Sequence, residues 1–430
     1  MKRPIAFFCA MAAATVCAAP VLDGEVTVSQ DPLKTLVTIR YAFTGEPAIV
    51  TVDIQTNGPA GYASIDNTFL TNLVGDVNKK VAAGSGKTIT WQPADTIPGR
   101  FTAPDARAVV TLHATNSPPD YIVLDLSSAT AAGAASVRFF PNAAQIPLGV
   151  TNNIYKTRYY VMRRIHAAGV VWPMGAASTE SGRNSSLEAA RPWVCIPEDY
   201  YIGIYEVTQG HFKNHPTLAA NADFKNKCNF KDYEDSDCRP VNCLTYVNTR
   251  GGGGSWPGDS HVFPNSWAYL QFIRNYIGLK FLIDLPTEAQ WEFACRAGNF
   301  ATRFYNGDTQ TDLDEAAWFA TNTASDVAAQ AVGLKKPNAW GLYDMLGNVQ
   351  ELCLDNFRSN YGTSLGTYDD VGFPGPETDF NGEKKQKVLR GGCYESPINE
   401  CRMAFRRYCA NGDERASVGF RLAMQVVYPY

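Results

Sequence analysis

Two carboxylates seven residues apart, Asp344 and Glu351, bracket a Gly347-Asn348 turn. Carbonyls on the inner side of such a turn, together with acidic side chains, make the kind of hard-oxygen set from which calcium draws its about six to eight ligands. A tight structural corner with Glu351 pairing an arginine fits the same residues. His211 and His215 stand four apart and would share a helical face, but Pro216 ends any helix there and no Glu follows His211 as in a zinc-protease helix. The remaining histidines, His113, His166 and His261, lie in no arrangement that supplies a histidine–carboxylate facial triad for iron. Cys228, Cys238 and Cys243 lack a C-x-x-C element, so no zinc site is expected. The run Arg250-Gly251-Gly252-Gly253-Gly254-Ser255 lacks the Gly-Lys-Ser/Thr ending of a phosphate loop and reads as a surface loop.

The elements that must position these residues begin with an export signal. Lys2-Arg3 precede an apolar stretch from Ile5 to Ala14, and small residues follow at Cys17-Ala18-Ala19, so residues 1–19 read as a secretory signal cleaved near Ala18. A secreted or periplasmic location follows as an expectation. Removal of Cys9 and Cys17 leaves nine of the eleven cysteines where disulfides persist, and an odd number leaves at least one thiol free. No later stretch approaches the roughly 18 apolar residues of a membrane-crossing helix. A formal charge of −4 gives no general attraction to phosphate backbones, and nucleic acid is not an expected partner.

Residues 20–115 alternate with a period of two, as in Val37-Thr38-Ile39-Arg40-Tyr41 and Val50-Thr51-Val52-Asp53-Ile54, with turn signals between the runs and Trp91 as a core aromatic. An immunoglobulin-like β-sandwich acting as a spacer or adhesion module is expected. Residues 116–155 open with Ser117-Pro118-Pro119, continue through small residues from Ala129 to Ala135, and read as a linker. From residue 156 to 428 the pattern becomes short strands, aromatic residues, glycine-rich loops and two convincing helices. One follows Pro264-Asn265-Ser266, with Leu270, Ile273 and Ile277 on one face and Gly278 at its stop. The other starts with a capping box between Thr287 and Gln290 and ends at Gly298. This is an α+β pattern.

Five segments of this region occur in a telling order: Tyr205-Glu206-Val207-Thr208-Gln209, Leu285-Pro286-Thr287-Glu288-Ala289-Gln290-Trp291-Glu292, Asn338-Ala339-Trp340-Gly341-Leu342-Tyr343-Asp344-Met345-Leu346-Gly347-Asn348-Val349-Gln350-Glu351, Val388-Leu389-Arg390-Gly391-Gly392 and Gly419-Phe420-Arg421-Leu422. The series resembles that of formylglycine-generating enzyme (sulfatase-modifying factor) domains, and Val170 to Gly175 loosely resembles the family's opening segment. The resemblance implies a C-type-lectin-like α+β fold with little regular secondary structure. It also implies calcium ligands at Asp344, Gly347, Val349 and Glu351.

Family enzymes hold copper between two cysteines, three and eight residues beyond a serine that follows Arg-Gly-Gly; soft thiolates suit Cu(I). Here the serine position is Cys393, the first cysteine position is Ser396, and Cys401 alone matches. Copper is not expected, and Cys401 and Cys393 are the only catalytic candidates. In a second register, Cys401-Arg402-Met403-Ala404-Phe405-Arg406 resembles a family segment whose cysteine bridges to the position of Cys295, which implies a Cys295–Cys401 disulfide. Arg402, Arg406 and Arg407 offer a site for an acidic ligand, or they pack against carboxylates. Two functional classes stay open. One is an oxidoreductase modifying exported proteins; the other, favoured by the broken cysteine pair, is a binding or structural module for a protein or carbohydrate ligand.

Overall fold

The computed structural model describes residues 18–31, 33–65, 73–93, 105–126, 137–188, 190–214, 234–250, 268–277, 281–323, 328–357, 368–369 and 386–426. Residues 1–17 of the expected signal, the small-residue run at 129–135, His215 and Pro216, Cys228, the glycines at 251–254, His261, the helix start at 264–266, Gly278 and residues 427–428 lie outside this set. The chain divides into two compact units, one ending at Pro118 and the other beginning at Pro119.

In the N-terminal unit the two-residue period becomes two antiparallel sheets. Val37–Thr44 buries Val37, Ile39, Tyr41 and Phe43 on one face and pairs with Gly84–Trp91, with Val21–Leu22, Thr27–Gln30 and Val74–Gly75 completing its sheet. Ala48–Gly58 pairs along most of its length with Ala106–Ala114, and Gly61–Ser64 and Lys80–Val81 join it. Ile39, Phe43, Val50, Ile54, Ile89 and Trp91 share one apolar core, so alternate residues of both sheets face each other.

The C-terminal unit is α+β. Its largest sheet has six antiparallel strands in the order Val137–Phe140, Tyr121–Asp125, Tyr159–Ile165, Tyr200–Gly203, Ala423–Val426 and Phe281–Asp284. The stretch expected as a linker thus supplies two of these strands. Ser117-Pro118-Pro119 marks only the junction, while Ile122, Val123 and Leu124 are buried against the sheet's neighbours. A second sheet orders Arg406–Ala410, Gln386–Arg390, Gln350–Asn356 and Val418–Gly419, and a third joins Val171–Met174, Arg191–Cys195 and Tyr368–Asp369.

Both expected helices form. Tyr269–Ile277 buries Leu270, Ile273 and Ile277. Glu288–Arg296 starts with Thr287 Oγ1 accepting from Gln290 N and Gln290 Oε1 accepting from Thr287 N, at 3.1 and 2.9 Å. It stops where Ala297 turns left-handed. Among the described residues no helix is long and apolar enough to cross a membrane. The strand assignments generate a test: a fragment beginning at residue 119 should melt cooperatively, whereas one beginning at 156 should aggregate on expression because Tyr159–Ile165 loses its partner and presents an open edge. Equal solubility and equal melting of the two fragments would contradict this sheet order.

Candidate functional site

Glu288, Glu292 and Arg296 recur every four residues on one face of their helix, and all three are buried. Glu288 accepts from Arg406 Nη2 at 2.8 Å. Glu292 is shared by Arg296, at 2.8 Å, and Arg390. Arg390 also donates to the carbonyls of Ala404, Phe405 and Met403, which ties the Arg-Gly-Gly segment to the Cys401–Arg406 segment. Arg402 is buried between Glu180, at 2.7 Å, and Glu188, at 2.8 Å. Arg402 and Arg406, expected as ligand-binding residues, are therefore internal charges with internal partners. Arg407, on Glu400 at 3.0 Å, is the exposed member of the three.

The Asp344–Glu351 loop is a corner. Both Glu351 oxygens accept from Arg421, each at 2.6 Å, and Oε2 also accepts from Trp291 Nε1 at 2.8 Å. A Cβ on Gly347, whose φ is +75°, would collide with the Trp318 carbonyl, and Asn348 N donates to that same carbonyl at 2.8 Å. Val349 N donates to Glu206 Oε1 at 3.3 Å, and Asn348 Nδ2 donates to Glu206 Oε2 at 2.7 Å. Asp344 Oδ2 accepts from Gly333 N at 2.7 Å, while its buried Oδ1 has no hydrogen-bond partner. Guanidinium and indole donors take three of the about four acceptor sites of Glu351, so of the expected calcium set Asp344, Gly347, Val349 and Glu351 it is Asp344 that keeps an open carboxylate oxygen. Among the described residues no group of three or more His, Cys, Asp or Glu is arranged to hold a metal. The structural corner, with Glu351 on an arginine, is the alternative this geometry supports.

Glu206, missed as a site residue although it stands in the first motif segment, completes a buried acidic trio with Asp344 and Glu351. Burial and the neighbouring carboxylates hold the Glu206 carboxyl well above its ordinary range. Burial also raises Asp344 from 3.8 to about 6, against the Gly333 amide and the Arg421 charge. His211, fully buried, is pushed down to about 4 by desolvation and is neutral; its Nε2 lies 3.1 Å from the Tyr159 carbonyl.

The thiols are sealed. Cys295 and Cys401 are fully buried, Cys393 is 2% exposed, and all three are free. The expected Cys295–Cys401 bridge is thus not formed here; Cys295 Sγ rests 3.8 Å from the Met345 carbonyl, and Cys401 Sγ packs where a Gly392 side chain would stand. Desolvation pushes all three thiols up, which disfavours the free thiolate as a nucleophile. Ser396 Oγ accepts from Cys393 N at 3.1 Å and lies 3.3 Å from Cys393 Sγ.

The family description "Sulfatase-modifying factor enzyme 1-like domain" matches residues 163–426, more than half of the chain. The chain belongs to this family. Sulfatase-modifying-factor relatives include the formylglycine-generating enzyme of Streptomyces coelicolor, 33% identical over 151 residues, which are 32% of this chain and 46% of that protein. The serine/threonine-protein kinase Pkn1 of Chlamydia trachomatis is 32% identical over 142 residues, 33% of this chain and 21% of the kinase. The chain thus matches less than half the length of either relative. Among solved structures, PvdO from Pseudomonas aeruginosa aligns with 62% of this chain and 94% of its own at 20% identity and a TM-score of 0.48.

The acidic trio in this sulfatase-modifying-factor domain makes stability depend on pH. Asp344 has a raised folded-state pKa, so its contribution is full below 3.8 and is lost as pH rises through about 6. Asp344→Asn keeps the acceptor for Gly333, suits the left-handed backbone at φ +53°, and removes the charge. The variant should be more stable than the parent at pH 7.5, by up to about 3 kcal/mol, with the gain vanishing near pH 4. Urea melts of both proteins across that range check it; a gain that grows as pH falls would contradict the assignment.

Proposed function

We propose that this domain is an exported binding module built on the sulfatase-modifying-factor scaffold, and that it does not oxidise a substrate cysteine. The observation that carries the reading is Ser396, which replaces the first thiol of the copper pair and spends its hydroxyl on the Cys393 amide. Two-thiolate chemistry needs both ligands on one soft ion. Only one of the two matching positions, Cys401, carries a thiol, and both Cys393 and Cys401 are buried. The second reading, an oxidoreductase of the formylglycine-generating type, draws on Cys393 and Cys401 lying within electrostatic reach of each other. Incubation of the mature protein with copper, oxygen and a Cys-x-Pro-x-Arg peptide should give no aldehyde by mass spectrometry. Turnover that disappears in Cys401→Ala would overturn the binding reading in favour of the second.

The N-terminal unit fits an immunoglobulin-like spacer, on the support of its two antiparallel sheets over one core. Export rests on Lys2-Arg3, the apolar run and the small residues before Ala19. In an oxidising compartment the family resemblance of the Cys295 and Cys401 segments still implies a bridge between these two buried thiols, which are free in this structure. Non-reducing peptide mapping of secreted protein should recover the joined peptides, and alkylation of Cys401 in the native oxidised protein would remove the bridge.

A further inference from the structure

A cavity of about 480 Å³ opens between the loop around Glu180 and the turn from Phe300 to Asp308. Its size is within the about 300–1,000 Å³ of ligand pockets, but its walls are polar. Arg296, only 3% exposed, commits Nε to Glu292 and Nη2 to the Gly175 carbonyl. Its Nη1 makes no hydrogen bond among the described residues, and the guanidinium lines the cavity. Glu180 gives Oε1 to Arg402, and its other oxygen has no partner among those residues. At the rim, Arg303 donates Nε to the Asp308 carbonyl and Nη1 to Asn399, and neither Arg303 nor Asp308 forms an ion pair among the described residues. Phe300, 40% exposed, lines the same space with Trp172 at 6.1 Å between centroids and the Arg296 guanidinium carbon 5.8 Å from its ring centre, so its exposed part is what a ligand can reach.

We propose that this cavity binds an uncharged saccharide, an assignment that rests on the reading of the domain as a binding module. Two guanidiniums and two carboxylates line it, so an anion meets Glu180 and Asp308, and a cation meets Arg296 and Arg303. Carboxylates only accept and guanidiniums only donate. A hydroxyl does both, so adjacent hydroxyls on one sugar ring satisfy open donors and open acceptors together without adding charge. The exposed Phe300 face meets the apolar C–H side of the ring, while the polar walls disfavour a lipid chain. Gly182 keeps the loop close: its φ is +78°, and a Cβ there would stand 2.6 Å from Asn399 Oδ1.

The test uses the whole mature protein and isothermal titration with neutral tetrasaccharides of glucose, mannose and N-acetylglucosamine, beside glycine, glutamate and lysine. At least one tetrasaccharide should bind with a Kd below about 1 mM. Phe300→Ala and Asp308→Asn should each weaken it about tenfold or more with unchanged melting curves. Asp308→Asn keeps the acceptor for the Arg303 amide, so it remains informative where Phe300→Ala fails to fold. Binding of the amino acids and of no tetrasaccharide, no binding at all, or full affinity in a folded variant would overturn the proposal. Absence of sugar binding with no peptide oxidation sinks this site alone, whereas peptide oxidation sinks the binding-module reading by its own assay.

Discussion

The C-terminal unit depends on carboxylates and guanidiniums that meet in its buried interior. Glu292 has no solvent-exposed surface and serves two arginines, one from its own helix and one from the strand Gln386–Arg390. Removing one partner of such a pair costs about 3–5 kcal/mol, a large share of the roughly 5–15 kcal/mol that keeps a domain folded. Measured against apolar residues of the same shape, the pairs add little net stability, because desolvation offsets the attraction. Their effect is registration. Trp291, Glu351 and Arg421 lie 60 and 70 residues apart in sequence from one another's contacts, and their hydrogen bonds fix helix, strand and C-terminal tail in one geometry.

The same charges explain why family membership says so little about chemistry. Thr287 and Gln290 cap a helix, Arg390 and Arg421 anchor carboxylates, Gly347 lets a backbone approach Trp318, and Asn348 holds Glu206. These motif residues build the scaffold, and a scaffold can host unrelated functions. The residues that would distinguish an oxidase stand beside the framework, at Cys393 and Ser396, where the chain departs from the enzymes' pattern.

Local signals were legible in the sequence. The capping box, the apolar face of Leu270, Ile273 and Ile277, and the alternation around Ile39 each involve neighbours within a turn or a strand, and each appears in the structure. Two things were not legible. Tyr121–Asp125 follows a Pro-Pro break that marks the end of one unit as readily as the start of a linker, and only pairing with Tyr159–Ile165 distinguishes them. The fate of Arg402 was hidden because Glu180 and Glu188 precede it by more than 200 residues. A cluster of arginines looks like an anion site until distant carboxylates are brought against it. Asp344 and Glu351 likewise supply the same carboxylates to a cation or to a corner, and the choice rests on Arg421, 70 residues after Glu351.

Burial and openness are then distributed by one network. Cys393 and Cys401 lie in the two segments that Arg390 ties together, so the groups best suited to redox chemistry are buried from solvent. Arg402 does the reverse for Glu180. By taking one carboxylate oxygen at 2.7 Å it holds the side chain, and Glu180 lines the cavity with its second oxygen outside that pair. Glu292 treats Arg296 in the same way, holding the guanidinium by one edge while Nη1 stays open. A rigid, half-satisfied donor and acceptor facing one space cost little to organise when a ligand arrives, because the ion pairs behind them have already met the entropy of ordering.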